Sequence, residues 1–374
     1  MCPIDRVEMD SPPSSCSQPS KDHPLLQTRL FSLVGISRKS WLRSILTFAA
    51  GFGLVALLCR KLEFSSIIQL LEHTSLPLLA LSVAALFTFY ILRALRWAII
   101  LQWKVSFGPL FAYSSIGYLV SSIAPAQAGE LVKPALVQAR HGLPYFATAA
   151  SVAVERLLDV ATLVLLGVAA MFALPSHALG PVWIVASLKA GGVVCACALL
   201  ILGLSSRWAD SVLRIVSRTL SLLRLPPHLN ERITNMVRMF LQGTGGALSP
   251  FTLLYALLCS MVVWGANAVS VAMIYGAVNG RVPSLPVVTL GFAVFSLGLA
   301  IPLTPAYVGQ YEGLWLLVFT SLHVASKSDV LAVGLLCHSL ILLTIVFFGL
   351  LSLGLLRLSD GSGRSSRDNP RVHP

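Results

Sequence analysis

Charged residues are scarce in this chain. Only 11% of its 374 residues are Asp, Glu, Lys or Arg, whereas 56% are hydrophobic. Soluble domains carry about 25% charged residues, so the composition excludes a soluble globular protein and indicates an integral membrane protein. Basic residues outnumber acidic ones and give a net charge of +12. They cluster between hydrophobic runs, as residues that orient a chain in a membrane do, which argues against a nucleic-acid partner.

The chain also lacks the motifs of several function classes. Its seven cysteines are scattered without a C-x-x-C pair, which is typical of packing rather than of a disulfide framework. No H-x-x-H or H-E-x-x-H spacing indicates a metal site, and no G-x-x-x-x-G-K-[ST] loop indicates ATP binding. We therefore expect no metal, no cofactor and no catalytic residue, and a transporter rather than an enzyme.

Six hydrophobic runs are long enough to cross a bilayer, which takes about 20 apolar residues. They predict an all-α polytopic membrane fold with spans at 42–59, 76–101, 145–173, 181–203, 250–275 and 329–356. Residues 1–40, rich in serine and proline, are expected to form a disordered cytoplasmic tail. The transmembrane domain is predicted at 41–357, followed by a second cytoplasmic tail at 358–374.

Basic residues are concentrated in alternate connections between these runs. This bias predicts a multi-pass protein of the cell (inner) membrane with both termini in the cytoplasm. In the predicted cytoplasmic loop 207–248, residues 207–224 place apolar and basic residues on opposite helix faces. The pattern fits a helix at the membrane interface, and it fits equally well a connector helix packed on the bundle.

Two further apolar segments are interrupted by proline and glycine. The first, 107–140, breaks at Pro125, and its second leg is too short to span, which predicts a re-entrant helix hairpin. The second, 283–325, breaks at Pro302 and Pro305. The lengths of its legs leave open a re-entrant hairpin or two spans.

The two interrupted segments resemble each other. In each, Ser-x-Gly leads to Pro-Ala, then to a glycine four residues beyond that proline, and then to a glutamate. The helix-break residues are Pro125 and Gly129 in the first segment, and Pro305 and Gly309 in the second. Three predicted spans separate the copies, so they predict an inverted repeat, whose paired breaks point to a transporter substrate site. Chance similarity is the alternative, since Gly and Pro are common in membrane helices.

Charged residues in these apolar surroundings form the candidate site, because each costs about 2.5–3.5 kcal/mol at the centre of a membrane helix. The candidate substrate or ion path comprises Glu130, Glu312, Arg93, Arg96, Glu155, Arg156, Asp159 and Lys133. The two glutamates after the breaks are expected to receive a cation, a proton or an amine-bearing head group. The arginines are suited to phosphate.

Structural roles are the alternatives for several of these residues. Arg93 and Arg96 also fit side chains that snorkel to the interface, and Glu155 and Asp159 also fit an ion-pair network with them. A single histidine in the last run, His338, is expected to be a packing residue.

Four segments resemble a known family in sequence and in order. They are Leu92-Arg-Ala-Leu-Arg-Trp97, Pro125-Ala-Gln-Ala-Gly-Glu-Leu-Val-Lys133, Glu155-Arg-Leu-Leu-Asp159 and Pro302-Leu-Thr-Pro-Ala-Tyr-Val-Gly-Gln-Tyr-Glu312. The family is the membrane region of lysylphosphatidylglycerol synthases, also found as stand-alone flippase-like membrane proteins. The resemblance covers roughly residues 41–357.

The resemblance implies a region that moves a lipid between leaflets. Since the chain ends at Pro374, we expect that region without the synthase domain that some members add. The chain departs from the family's pattern at Gln127 and Lys133, where arginine is common, and at Ala306-Tyr307, where Gly-Gly is frequent. The missing guanidinium at Gln127 leaves the identity of the lipid open.

The leading hypothesis is therefore a translocase for a polar or amino-modified membrane lipid. A membrane-embedded lipid-modifying transferase and a non-catalytic partner of a separate lipid-synthesis enzyme are the alternatives. The sequence does not indicate an oligomeric state.

Overall fold

The computed structural model describes residues 74–124, 127–223 and 226–365. These residues form eleven α-helices and two short 3-10 turns, with no strand among them, so the predicted all-α fold is confirmed. The helices are α1 (Leu76–Ile100), α2 (Phe107–Ile123), α3 (Gly129–His141), α4 (Tyr145–Phe172), α5 (Val182–Arg207), α6 (Ala209–Leu222), α7 (Pro227–Ala247), α8 (Pro250–Asn279), α9 (Leu285–Gly298), α10 (Gln310–Ser321) and α11 (Lys327–Ser365).

Four of these helices, α1, α5, α8 and α11, are long and apolar enough to cross a membrane. Helix α4 has 28 residues, about 42 Å at 1.5 Å per residue, but it carries Glu155, Arg156 and Asp159 at its middle. These five helices match five of the predicted spans to within a few residues at most ends. The predicted span 42–59 lies outside the described residues, so the count of six stays a prediction.

Both interrupted segments are pairs of short helices. Helices α2 and α3 have 17 and 13 residues, and α9 and α10 have 14 and 12. At about 1.5 Å per residue, each is shorter than the roughly 30 Å hydrocarbon core. Of the two alternatives for the second segment, the helix lengths favour the re-entrant hairpin over two spans.

Both hairpins turn through left-handed backbone. Gln127 has a φ of 53° in the first, and Ala306, Tyr307 and Gly309 have φ angles of 50°, 58° and 82° in the second. Only the last is a glycine, and the left-handed region is uncommon for other residues. Pro125 lies outside the described residues. Pro305 begins the 3-10 turn Pro305–Tyr307, which the prolyl ring suits because it fixes φ near −65°.

Helix α4 lies at the centre of the bundle. It contacts α1, α3, α5, α7, α8 and α9. Aromatic side chains of α8, α9 and α10 fill the neighbouring core, with Tyr275, Phe295, Trp315 and Phe319 almost fully buried. The charged middle of α4 is thus surrounded by helices.

The predicted amphipathic segment forms α6, which is separated from α5 by a break at Trp208. It has no buried residue, and it contacts α7 and α5. Ile215 and Leu222 expose 64% and 82% of their surface. An exposed apolar face on a helix with basic residues opposite is what a membrane interface accommodates.

The closest approach within the first hairpin involves two glycines. A Cβ added to Gly129 would overlap the carbonyl oxygen of Gly117 on α2 and lie 2.5 Å from the Oγ of Ser121. Glycine at position 129 is therefore required by the packing of α3 on α2.

Replacing Gly129 with alanine should lower the free energy of unfolding by at least about 1–3 kcal/mol, because the backbones of α2 and α3 must separate. Thermal unfolding of the purified protein in detergent measures the loss. Gly108→Ala in α2 is the matched control, since its Cβ would meet nothing within 4 Å. Equal unfolding midpoints for the two variants would contradict the tight packing.

Candidate functional site

Two arginines of α1 meet two carboxylates of α4 inside the bundle. Arg96 Nη1 lies 2.6 Å from Asp159 Oδ1, and Arg96 Nη2 lies 3.0 Å from Glu155 Oε1. Arg93 Nη2 lies 3.2 Å from Asp159 Oδ2 and 3.6 Å from Glu155 Oε1. Spacings of three and four residues put each pair on one helix face, which is why the two faces match.

Helix α3 adds Glu130 and Lys133 to this network. Lys133 Nζ lies 3.0 Å from Glu130 Oε2 and 3.4 Å from Glu155 Oε2, and Arg156 Nη2 lies 2.8 Å from Glu130 Oε1. We call Arg93, Arg96, Glu130, Lys133, Glu155, Arg156 and Asp159 the charged cluster. The seven side chains come from three helices, α1, α3 and α4.

Helix α8 contributes neutral donors and acceptors to the cluster. Arg96 Nη1 donates to Ser260 Oγ at 2.8 Å, and Trp264 Nε1 donates to Asp159 Oδ1 at 2.8 Å. Arg93 also lies over the rings of Phe89, Tyr118 and Trp264, at 5.2 to 5.9 Å from their centroids. Such cation–π contacts favour a desolvated guanidinium.

The cluster carries four cations and three carboxylates, which leaves one positive charge (4 − 3 = +1). The Nε atoms of Arg93, Arg96 and Arg156 are all buried without a hydrogen-bond partner among the described residues. Arg156 keeps 35% of its side chain exposed, whereas Arg96 and Lys133 are fully buried. Arg93 and Arg156 are the cations of the cluster that line a cavity.

A cavity of about 410 Å³ lies beside the cluster. Its polar lining includes Arg93, Arg156, Asp159 and Asn267, while most of its other walls are apolar side chains of α1, α4, α8 and α9. This volume falls within the roughly 300–1,000 Å³ of ligand pockets.

A second cavity of about 200 Å³ reaches Glu130 and His338. The two cavities share Arg93, Gln127, Arg156 and Tyr307 in their linings. An amphiphile needs both kinds of lining, and most of the shared residues carry a polar group, the exceptions being Leu299 and Ile341.

The two helix breaks touch at the border of these cavities. The side-chain Nε2 of Gln127 donates to the hydroxyl of Tyr307. Both residues have left-handed φ angles, and both are positions where the chain departs from the pattern of the family it resembles. Their separation of 180 residues leaves no local pattern that would predict the contact.

Glu312 has partners of its own at the second break. Its Oε2 accepts the backbone N–H of Gly309 at 2.7 Å, and its Oε1 lies 2.6 Å from His338 Nδ1. The other ring nitrogen, Nε2, lies 2.9 Å from the carbonyl oxygen of Ala306. The ring of His338 stacks on that of Tyr311, with centroids 4.2 Å apart.

Sequence reasoning therefore missed His338 as a member of the site. The structure brings the other candidates together in two groups, the charged cluster and the pair of Glu312 with His338, which borders the smaller cavity with Glu130. The available signal was that His338 and Glu312 are both ionisable residues in apolar runs, where such a group needs a partner.

Comparisons with known proteins support the membrane-spanning character of these helices. The family model for the lysylphosphatidylglycerol synthase TM region matches residues 42–349, which is most of the chain. Apolar helices and this match together define a multi-pass membrane protein related to lipids. The chain belongs to the lysylphosphatidylglycerol synthase TM region family, so the resemblance read from its motifs is confirmed.

The chain is also similar to a curated protein. Glycosyltransferase AglD of Haloferax volcanii is 26% identical over 319 residues, which cover 76% of this chain and 50% of that relative. This chain thus spans about half the length of the relative it matches. No solved structure matches the chain.

Proposed function

We propose that this protein moves a polar or amino-modified lipid between the two leaflets of the cell membrane. The observation that carries the proposal is the cavity of about 410 Å³, in which the side chains of two arginines lie among largely apolar walls. A lipid head group needs the former and acyl chains tolerate the latter. Membership of a family named after synthases of a membrane lipid supports the same substrate class.

The charges of the cluster suit a phosphate. A guanidinium binds phosphate through two parallel hydrogen bonds, and Arg93 and Arg156 are the arginines of the cluster that line both cavities. Arg96 is less suited, because it is fully buried and lines neither of the two cavities. The net charge of +1 is balanced when an anion enters.

Glu130 suits the amine of an amino-modified head group. It lines the smaller cavity and keeps 17% of its side chain exposed, in contrast to 1% for Glu155. A head group with phosphate at Arg93 and Arg156 would place an amine near Glu130, since all three residues line that cavity.

The proposed orientation puts both termini and α6 on the cytoplasmic side. The argument is the excess of basic residues in the loops on that side. The exposed apolar face of α6 would lie in the interface, with its arginines toward anionic head groups.

Replacing Glu130 with glutamine should slow leaflet exchange of an amine-bearing phospholipid about tenfold, the loss of one charge-assisted hydrogen bond of about 1.5 kcal/mol. Exchange of an anionic phospholipid should fall less, because the cluster becomes more positive. The assay is reconstitution in liposomes with labelled lipids, followed by quenching of the outer leaflet.

Two controls accompany this experiment. Asp210→Gln, on the exposed surface of α6, removes a carboxylate away from the cavities and should exchange both lipids at the wild-type rate. Protein-free liposomes give the background. Exchange at the background rate by the intact protein with every lipid would overturn the proposal for those lipids.

A lipid-modifying transferase, or the non-catalytic partner of a separate lipid synthase, is the second candidate. The observation that favours it is the name of the similar relative, a glycosyltransferase. Expression in a host, followed by mass spectrometry of extracted lipids, distinguishes the candidates. A new lipid species that depends on the protein would favour the transferase, and co-purification with a lipid synthase would favour the partner role.

A further inference from the structure

The hydrogen bonds of His338 determine how many protons the imidazole and Glu312 hold together. Nε2 faces the carbonyl oxygen of Ala306 at 2.9 Å, and a carbonyl oxygen only accepts, so Nε2 carries a hydrogen. Nδ1 faces Glu312 Oε1 at 2.6 Å, and two lone pairs do not meet at that distance. A second proton must lie between them, on either atom. The pair thus holds one proton more than a neutral imidazole and a carboxylate together.

The pair is enclosed by other polar groups. Tyr311 stacks on the imidazole, and the Gly309 N–H donates to Glu312. The titratable and charged groups that surround the pair, across the smaller cavity or on its own helices, are Tyr90, Arg93, Tyr118, Glu130, Arg156, Tyr307, Tyr311 and Cys337. The two arginines in this set outnumber the one carboxylate, so the surroundings tolerate loss of a positive charge from the pair.

We propose that His338 and Glu312 form a proton-binding site that controls the contact between the two helix breaks. With the extra proton bound, the imidazole holds both Glu312 and the carbonyl of Ala306. When that proton leaves, the ring keeps a single N–H, which goes to the carboxylate because charge-assisted bonds are the stronger. The lone pair of Nε2 then faces the carbonyl oxygen of Ala306, and the two repel.

Loss of the hydrogen bond between His338 and the carbonyl oxygen of Ala306 changes the position of the next residue, Tyr307. Ala306 and Tyr307 both have left-handed φ angles, a conformation that persists only where surrounding contacts hold it. Without the bond to His338 the turn relaxes, and Tyr307 leaves Gln127. Gln127 and Tyr307 line both cavities. Loss of the contact between them therefore joins the two cavities into one path for a head group. Proton release opens the path and proton binding closes it.

Hydrogen–deuterium exchange of the second break tests the site without any transport assay. Peptides covering residues 303–310 are followed in nanodiscs at about pH 5 and at about pH 9. After correction for the intrinsic pH dependence, protection in the wild type should fall about tenfold at the higher pH. A peptide from α8 is the internal reference.

Two variants make the prediction specific. Glu312→Gln should stay protected at both pH values, because its amide donates to Nδ1 and no second proton is needed. His338→Gln should show no pH dependence, which keeps the test decisive if Glu312→Gln does not fold. His177→Gln, an exposed histidine in the 3-10 turn Ser176–Ala178, should behave as the wild type. Equal corrected protection of the wild type at both pH values would overturn the proposal.

The role in transport rests on the proposed function and has its own readout. Leaflet exchange in symmetric buffers should rise about tenfold from the lower to the higher pH in the wild type and stay low in Glu312→Gln. If the protection of the second break depends on pH but no lipid is exchanged, the result supports the proton site and counts against the translocase. If neither leaflet exchange nor the protection of the second break depends on pH, the proton site is refuted and the proposed translocase is not.

Discussion

Replacing Arg96 with glutamine should destabilise the protein by about 3–5 kcal/mol, the cost of removing one partner of a buried ion pair. Arg96 is fully buried and bonds Asp159, Glu155 and Ser260. Glutamine cannot reach all three, so both carboxylates lose a donor in a medium of low dielectric constant. Unfolding in mixed detergent micelles, followed by circular dichroism, measures the change.

The double variant separates charge from packing. Adding Glu155→Gln to Arg96→Gln removes one of the two carboxylates that lost a donor, so part of the lost stability should return. Arg218→Gln on the exposed surface of α6 is the matched control, and it should change stability by less than about 0.5 kcal/mol. An Arg96→Gln protein as stable as this control would show that the buried pairs contribute nothing.

Replacing Arg156 with glutamine should slow lipid transport more than replacing Glu130 with glutamine does. Its side chain is 35% exposed and lines both cavities. Loss of a hydrogen bond to a charged phosphate costs about 1.5–3 kcal/mol, which slows exchange of phosphate-bearing lipids roughly 10- to 100-fold. Leaflet exchange in proteoliposomes measures this rate.

The control for Arg156→Gln is the same substitution at Arg214, which lies exposed on α6 and donates to Ser211 in its own helix. Arg214→Gln should keep the wild-type rate. The comparison fails for our account if the two variants exchange the lipid equally fast, since the cavity arginine would then make no contact that matters.

Periodicity and apolar length predicted most of the fold. Runs of apolar residues place α1, α5, α8 and α11 correctly, and Gly129 marks the start of α3. The end of the first helix in the second hairpin was harder to predict, because residues 299–303 are as apolar as α9 before them. Helix α9 nevertheless ends at Gly298, and the side chain of Gln310 bonds the backbone of Ile301 and Leu303 instead. No apolar pattern shows a break that a distant side chain stabilises.

The candidate site was predicted as a set of residues and not as an arrangement. The cost of charge in a membrane singles out Arg93, Glu130 and Asp159 from sequence alone. It does not show that Glu312 pairs with His338, or that Gln127 meets Tyr307. These contacts join helices through packing, and neither residue of the second pair is charged. The inverted repeat stays a prediction.

A side-by-side exchange assay of wild type, Arg156→Gln and Glu130→Gln with one anionic and one amine-bearing lipid tests most directly whether the charged cluster selects the head group. We predict that the glutamine at position 156 slows the anionic lipid more than the glutamine at position 130 does, and that Glu130→Gln slows the amine-bearing lipid more than the anionic one. Identical rate losses for both lipids in both variants would contradict recognition of the head group by these charges.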